Sequence, residues 1–399
     1  MPNVHQNDAM SFLALLIILL FGAGLFWLIA YLLRRRMRRV SIVIASIGTL
    51  IALFLLGLWL VEVSGWQREG LFMQLAYGLE QEDIIDFIEY QDDITETSML
   101  MMSMAGTALT QMVEINPEHQ DFTVEQLTWM VGYLTNEDRF PVWREKRSWS
   151  QQLFFLTHAS IVMAHYQTAT ADTLHDERWK QVITFLHNGI RRSQYKHLAS
   201  RPQDSALRPA DNAAALYALK LYDNYHGTSY AQSAGEDWSN YIRKELQFED
   251  TKLPCAGFTV TNRCRLSPVG GSLAMLNAYT EAAELPIARD FWREFRYYYK
   301  ESFVNIFGWV NLMARGGDLP DFCESSMRPL LCEHYQYESS FAQYAAAQRK
   351  DWITYYQLNN SMLMTDFFRP PNRLWQKPPQ EQVRGMVNLA IRLAAVTKP

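Results

Sequence analysis

The sequence predicts an all-α protein, and three of its features support this class. Two long uncharged apolar stretches stand near the N-terminus, at residues 12–33 and 40–61. Most of the remaining chain has apolar residues at the three- and four-residue spacing of a helix face. Strand patterns are rare, since only "GFTVT" and "FGWVNLMA" resemble short β segments. We therefore expect an N-terminal pair of helices, then a large helical domain with minor β structure in its loops.

The two apolar stretches predict a transmembrane hairpin. Residues 12–33 and 40–61 each supply the roughly 20 apolar residues that cross a hydrocarbon core. Five arginines fill the turn 34–39, and positive charge is retained in the cytoplasm during insertion. The first stretch is too long for a signal peptide and no basic region precedes it. We expect residues 1–11 and 62–399 outside the cytoplasm, as in a bacterial inner-membrane protein whose main domain is periplasmic.

The charge balance limits the partners. The formal net charge is −5, and leaving out the five arginines of the turn brings the rest to about −10. An acidic domain argues against a nucleic-acid partner, which requires a basic face. The lipid bilayer is the partner that the hairpin implies. The acidic segment 80–96 carries an apolar side with Ile84, Phe87 and Ile88, and it is either a solvated helix or a docking surface for another membrane protein.

The large domain shows about twelve helical segments, most of about 12 to 20 residues. They lie near 70–90, 94–114, 123–134, 148–168, 175–195, 212–225, 230–246, 268–284, 290–303 and 380–396, with two more in 339–358 on either side of a turn near 349–351. An open solenoid of helix pairs shows a repeat period, such as about 34 residues in tetratricopeptide repeats. The sequence has no such period, so a closed α/α toroid is the expected architecture.

Four short segments resemble helix starts of α/α-toroid proteins. They are "RPADNAAALYAL" (208–219), "SPVGGSLAMLNAY" (267–279), "ARGGDLPDF" (314–322) and "YESSFAQYAAAQRKDW" (337–352). Such proteins include glycan-active envelope enzymes and the linalool dehydratase/isomerase-like group, some with membrane-spanning N-termini. The latter group is also similar in having two cysteines nine positions apart near its active site. The resemblance covers about 205–365 and implies an enzyme acting on a glycan or a related hydroxylated substrate.

The four cysteines form two C-x8-C loops, Cys255–Cys264 and Cys323–Cys332. Outside the cytosol, paired disulfides are the default state of such thiols. Each bridge closes a short loop and would add about 2–3 kcal/mol of stability. Structural zinc sites space their cysteines two to four positions apart, which disfavours a metal site. We expect two disulfides, with pairing between the loops and thiol chemistry as the alternatives.

The densest polar segment, 315–338, predicts a site with paired carboxylates. Two carboxyl groups in one pocket can act as acid and base, because burial raises the pKa of one of them. A solvated loop explains the same composition. Asp211 begins a predicted helix, where it either caps free N–H groups or faces a toroid cavity. The candidate catalytic residues are Asp211, Asp318, Asp321, His334 and Glu338, and the candidate substrate-binding residues are Tyr279, Trp309, Arg315 and Tyr337.

Cofactor and metal motifs are missing from the sequence. It contains no HExxH, GxSxG, Walker or GxGxxG pattern, so we expect no cofactor and no metal. His158 and His165 lie two helical turns apart, too far for one zinc ion without other elements. Two functions fit these features: a membrane-tethered enzyme on an envelope glycan, with a dehydratase/isomerase-like lyase as its variant, and a non-catalytic scaffold of an envelope or secretion complex. Convergence of the carboxylates in one cavity favours the enzyme.

Overall fold

The computed structural model describes residues 24–90, 95–202, 206–303, 305–314, 334–368 and 371–398. This part of the chain is mostly helical, which confirms the all-α prediction. It divides into two compact units, one ending at Gly70 and one spanning Leu71–Lys398. The two units are described in turn.

The first unit contains two helices, α1 (Gly24–Leu33) and α2 (Arg38–Val63), joined by a short turn. The helices are linked side by side, because the Trp27 indole N–H donates a hydrogen bond to Thr49 Oγ1 at 3.2 Å. The described part of this unit therefore forms a helical hairpin.

One helix of the described residues is long and apolar enough to cross a membrane. It covers Arg38–Leu58, 21 residues with a mean hydropathy of 2.5, and only 12% of it is buried in the structure. The other predicted span, 12–33, lies partly outside the described residues. Its described part, Gly24–Leu33, is an apolar helix.

The second unit continues the helix series from α3, whose first turn precedes Leu71. The helices are α3 (Trp66–Leu79), α4 (Glu82–Glu89), α5 (Glu96–Ile115), α6 (Gln120–Leu134), α7 (Leu153–Thr170), α8 (Asp176–Arg192), α9 (Pro209–His226), α10 (Tyr230–Glu245), α11 (Gly270–Ala282), α12 (Ala288–Tyr299), α13 (His334–Arg349), α14 (Trp352–Phe368) and α15 (Pro379–Val396). Short 3₁₀ helices lie at Pro117–His119, Pro141–Trp143, Lys146–Gln151 and Pro371–Gln376.

Six helices of this unit form a closed ring in the order α5, α7, α9, α11, α13 and α15. Each packs on the next, and α15 packs on α5. The helices α4, α6, α8, α10, α12 and α14 pack on the outside of these ring helices. Short loops join each of the ring helices α5, α7, α9, α11 and α13 to the outer helix that follows it, so the two run in opposite directions, and α15 is preceded by the outer helix α14. The first residues of all six ring helices therefore lie at one end of the ring.

Burial separates the ring helices from the outer helices. In α7 the run Leu156–Gln167 is buried throughout, as expected for a helix surrounded by other helices. The outer helix α8 buries a single stripe that includes Trp179, Val182 and Leu186, and its opposite side is polar. The hydrophobic core consequently fills the ring and the layer between the ring and the outer helices.

The acidic segment after the second predicted span differs from its prediction. The predicted helix 70–90 is two helices, since α3 ends at Leu79 and α4 begins at Glu82. The apolar side of α4, with Ile84 and Ile88, is buried and packs within the unit, where α4 contacts α15. Ile84 and Ile88 are therefore part of the core of the unit, whereas Phe87 is only half-buried. The acidic side of α4 faces solvent.

Two short hairpins confirm both predicted β segments. Strand β1 (Gly257–Phe258) pairs with β2 (Cys264–Leu266), and β3 (Lys300–Phe303) pairs with β4 (Phe307–Val310), both antiparallel. The sulfur atoms of Cys255 and Cys264 are at disulfide distance and their Cα atoms are 5.8 Å apart, which confirms the first predicted bridge. The second predicted pair, Cys323–Cys332, lies outside the described residues.

Candidate functional site

The end of the ring where the ring helices begin is called the mouth below. Its charged side chains are Glu96 in α5, Asp211 in α9, Glu338 in α13 and Arg384 in α15. Tyr337 lies among them. Burial raises the pKa of Tyr337 most, the charges of Glu338, Asp211 and Glu96 raise this pKa further, and Arg384 lowers it. Charged groups of four ring helices therefore influence the acidity of one tyrosine.

Glu338 is the carboxyl group with the largest change in acidity. Burial raises the pKa of Glu338 to about 7. Its Oε2 atom is buried and has no hydrogen-bond partner within the described part of the chain. Gly271 of α11 leaves room for this side chain, since a Cβ on Gly271 would lie 3.2 Å from Glu338 Cγ and Oε1. At neutral pH a group with this pKa is present in both its acid and its base form.

Asp211 is the buried negative charge of the mouth, with a relative exposure of 5%. It is the third residue of α9, where the positive end of the helix dipole favours a carboxylate. The helix begins two residues earlier than the sequence predicts, because Pro209 occupies the first helical position and Arg208 is the N-cap. The helix thus begins before Asp211, as expected for proline at the first position of a helix.

Glu96 is a third carboxyl group of the mouth, and Arg201 holds it. Arg201 Nη2 donates a hydrogen bond to Glu96 Oε2 at 2.5 Å, and its guanidinium group lies 5.2 Å from the centre of the Phe154 ring. Burial raises the pKa of Glu96 and the charge of Asp211 raises it too, while Arg201 and Arg208 act in the opposite direction. Burial dominates, so this carboxyl is also less acidic than normal.

A column of aromatic rings leads from the mouth toward the centre of the ring. The Phe341 ring lies 5.1 Å from Tyr337 and 6.2 Å from the fully buried Tyr279. The Tyr279 ring lies 6.4 Å from that of His158. Burial raises the pKa of Tyr279 well above its normal value, and the charges of Tyr337, Tyr217 and Asp211 add to this rise. The mouth therefore has an aromatic, water-poor floor under its carboxyl groups.

The interior of the ring contains two buried hydrogen bonds between α5 and α7. Ser103 Oγ lies 2.7 Å from His158 Nδ1, and Thr107 Oγ1 lies 2.9 Å from His165 Nε2. Burial lowers the pKa of each imidazole to about 3, so both are neutral at physiological pH. These histidines are core residues that pair with hydroxyl groups.

The structure brings together Asp211, Tyr279, Tyr337 and Glu338 from the predicted site. Trp309 is half-buried on β4, where its backbone pairs with Glu301 of β3. The next residue, Val310, donates its N–H to Ser339 Oγ at 3.1 Å, so this strand passes beside the start of α13. The remaining predicted residues, Arg315, Asp318 and Asp321, lie outside the described residues. His334 begins α13, and its side chain lies outside them too.

Sequence reasoning missed Glu96, Arg201 and Arg384. Glu96 carries a usable signal, because it is the first residue of a helix whose residues from Ser98 to Thr110 are all buried. The helix dipole favours a glutamate in the first turn, so this signal places Glu96 beside the core without separating a structural role from a functional one. Arg201 and Arg384 belong to a polar connection and an amphipathic helix, where arginine is common, and carry no comparable signal.

A comparison with protein-family models finds no model that matches the chain, and a comparison with curated proteins finds no match either. Within the described residues, no group of three or more His, Cys, Asp and Glu side chains is placed to hold a metal ion.

Proposed function

We propose that this chain is a membrane-anchored α/α-toroid enzyme that breaks a C–O bond in a hydroxylated substrate, with an envelope glycan as the substrate class. The observation that carries the proposal is the pair of Glu338 and Asp211 at the mouth. Burial gives Glu338 a pKa of about 7, and the charge of Asp211 acts on the neighbouring Tyr337. Two carboxyl groups in different environments are the usual basis of acid and base catalysis.

The two carboxyl groups divide the work of hydrolysis in this proposal. The protonated form of Glu338 donates its proton to the oxygen atom of the leaving group as the C–O bond breaks. The Asp211 carboxylate accepts a proton from the attacking water, whose hydroxyl group bonds to the sugar carbon. Asp211 is buried in the first turn of α9, which favours its charged form. In a dehydratase/isomerase-like variant, the same two groups move protons during loss and return of water.

The closed ring supports the toroid part of the proposal. In such rings the long connections between helix pairs lie at the end where the ring helices start, and here 135–152, 193–208 and 246–269 lie at the mouth. Loops at one end of a rigid scaffold commonly form the substrate site. The resemblance of 208–219 and 267–279 to toroid helix starts agrees with this arrangement, because both segments enter the ring at the mouth.

The membrane topology is part of the same proposal. Residues 12–33 and α2 form two spans, the arginines of 34–39 lie in the cytoplasm, and the ring lies in the periplasm. The Cys255–Cys264 pair supports an oxidising compartment, since disulfides persist there and are rare in the cytosol.

A non-catalytic scaffold is the alternative function. A scaffold gains nothing from a buried carboxyl group that stays partly charged at neutral pH, because such a group lowers stability. Enzymes accept this cost at their active sites. Glu338 therefore favours the enzyme, and the solvent-facing acidic side of α4 is the surface that a scaffold partner would use.

Variants of the full-length protein in lipid nanodiscs test the proposal. Purified peptidoglycan, cellulose and chitin are incubated with the protein, and the release of reducing ends is measured. Glu338→Gln and Asp211→Asn should each lower the rate about 10²–10⁴-fold, the usual contribution of a catalytic acid or base. Glu284→Gln is the control, because Glu284 follows the last turn of α11 at the far end of the ring and pairs with Lys220. Equal rates for all three variants would contradict the proposal.

A further inference from the structure

A second cleft lies between the C-terminal ends of α4 and α6. Its volume is about 510 Å³, within the roughly 300–1,000 Å³ of typical ligand sites. Trp129, Gly132 and Tyr133 of α6 line one side, and Glu89 and Tyr90 line the other. None of these residues belongs to the mouth as defined above.

The aromatic side chains of this cleft are held in fixed positions. The Trp129 indole N–H donates a hydrogen bond to Glu89 Oε1 at 2.8 Å, and the Tyr133 hydroxyl donates to the Ile88 carbonyl at 2.7 Å. The two rings lie one helical turn apart, with centres 6.4 Å apart and planes within 28° of each other. A ring fixed in this way loses little entropy when a ligand stacks on it.

Arg139 balances the charge of the cleft. Its Nε donates a hydrogen bond to the Tyr133 hydroxyl at 3.0 Å, and its guanidinium group lies 4.8 Å from the centre of the Tyr133 ring. Nη2 also donates to the Ile88 carbonyl at 3.3 Å, at the negative end of α4. With one carboxylate, Glu89, and one guanidinium, the lining has no net charge, so it fits a neutral ligand better than an anion.

These contacts also close the C-terminal end of α4, and that structural role accounts for Tyr133 and Arg139. It does not account for the open space above Gly132. A Cβ on Gly132 would meet no heavy atom within 4 Å, and the backbone there is ordinary α-helix. Glycine inside a helix costs about 0.5–1 kcal/mol relative to alanine. Neither packing nor backbone geometry requires glycine here, and the missing side chain leaves the floor of the cleft open.

We propose that this cleft binds a neutral saccharide. The apolar face of a sugar ring stacks on the half-buried Trp129 ring in the lining of the cleft. The Glu89 carboxylate accepts hydrogen bonds from sugar hydroxyl groups, and Tyr90, with a relative exposure of 81%, offers its own hydroxyl group at the rim. Gly132 leaves the space that the ring occupies.

The cleft lies at the same end of the ring as the mouth. Helix α6 runs opposite to α5, so the end of α6 is beside the start of α5, where Glu96 stands. The chain leads from Glu89 to Glu96 in seven residues. A saccharide chain held in the cleft is therefore positioned to extend toward the mouth. The ligand class matches the proposed function, but the cleft stands on its own contacts.

Binding of defined oligosaccharides to the full-length protein in lipid nanodiscs tests the inference. The probes are cellotetraose, chitotetraose and maltotetraose, and the dissociation constant is measured by isothermal titration calorimetry. Gly132→Leu fills the cleft without touching its neighbours, and it should weaken binding at least about tenfold while leaving the melting temperature equal or higher. Trp129→Ala should weaken binding similarly.

Two controls separate the cleft from other effects. Gly70→Leu places the same side chain at another helical glycine with open space around it, and should bind like the wild type. Glu284→Gln should also bind like the wild type, because Glu284 pairs with Lys220 at the far end of the ring and belongs to neither the cleft nor the mouth. If the wild type binds none of the three probes, or if Gly132→Leu binds as tightly as the wild type, the inference is overturned.

Discussion

The mouth and the interior of the ring bury ionisable groups with opposite results. At the mouth, burial raises the pKa of Glu338 to about 7 and also raises that of Glu96. In the interior, burial lowers the pKa of His158 and His165 to about 3. Both changes have one cause, since a low-dielectric surrounding disfavours the charged form of any group. Their consequences at neutral pH differ.

The interior histidines stay neutral across the physiological range and pair with neutral hydroxyl groups of α5. They fix the packing of α5 against α7 without introducing charge. Glu338 instead changes its charge close to neutral pH, and one of its oxygen atoms has no partner among the described residues. The comparison indicates that a buried ionisable group marks a functional site when its shifted pKa falls in the working range of pH.

The largest expected effect tests the interior. A histidine with a lowered pKa binds a proton less readily in the folded state than in the unfolded state. The stability that it contributes to the protein is therefore fully present above pH 6.5 and is lost as the pH falls. Between pH 6.5 and pH 4, His158 and His165 should each lower the free energy of unfolding by about 3 kcal/mol. The double variant His158→Asn/His165→Gln keeps each hydrogen bond to Ser103 or Thr107 and removes the titration. Denaturant unfolding between pH 7 and pH 4 measures how steeply the free energy of unfolding changes with pH.

The double variant also loses packing, which lowers stability by a similar amount at every pH. The slope against pH is therefore the decisive quantity, rather than stability at a single pH. His226→Gln is the control, since His226 is only partly buried and contacts Asp176. If the double variant loses stability with falling pH as steeply as the wild type, the pKa values of these imidazoles are not lowered by burial. The contrast between the interior and the mouth would then be wrong.

A smaller effect of opposite sign is expected at the mouth. Because the pKa of Glu338 is raised from 4.5 to about 7, the folded state binds the proton more tightly than the unfolded state. Stability is complete below pH 4.5 and falls as pH rises to 7. Glu338→Gln removes this loss, so the variant should be more stable than the wild type by up to about 3 kcal/mol at pH 8 and equal to it at pH 4.5.

Unfolding by urea at pH 4.5, 6 and 8 measures this difference. Combined with the loss of activity expected for the same variant, a gain in stability would identify a residue kept for function rather than for the fold. A variant that is less stable than the wild type at pH 8 would show that Glu338 is a structural group with a normal acidity.

Much of the fold follows from the sequence for a simple reason. Helical periodicity is local, and the predicted segments 94–114, 123–134 and 380–396 agree closely with α5, α6 and α15. The break between α3 and α4 was missed, because Glu80 and Gln81 favour helix and nothing in the pattern marks a turn. The order of helices around the ring depends on contacts between distant segments, which periodicity does not record.

The candidate site follows from the sequence only in part. Asp211 and Glu338 were predicted because each begins or precedes an alanine-rich helix in a polar setting. The effect of Glu96 on Tyr337 requires residues more than two hundred positions apart to approach each other. The raised pKa of Glu338 cannot be predicted from the sequence either, since it depends on the burial of the side chain. Gly271, in a different helix, allows that burial.

The smallest of these effects concerns the rim of the mouth. The hairpin of β1 and β2, closed by Cys255–Cys264, pairs through Phe258 with Leu207, which leads into α9 and Asp211. Closing a ten-residue loop is worth about 2–3 kcal/mol. Cys255→Ser/Cys264→Ser should therefore loosen the rim, with less protection of amide hydrogens in 256–266 and at Leu207 on hydrogen exchange.

The interior should not respond to that change, because the hairpin makes no hydrogen bond to α5 or α7 among those described. Amides of Ser103 and His158 should keep their wild-type protection in the double serine variant. Local loosening at the rim with an unchanged interior would make the mouth an independently mobile part built on a rigid ring, as expected for a site that admits substrate. Equal loss of protection in both places would show that the mouth and the interior unfold as one unit. The two regions would then differ only in the pKa values of their buried groups.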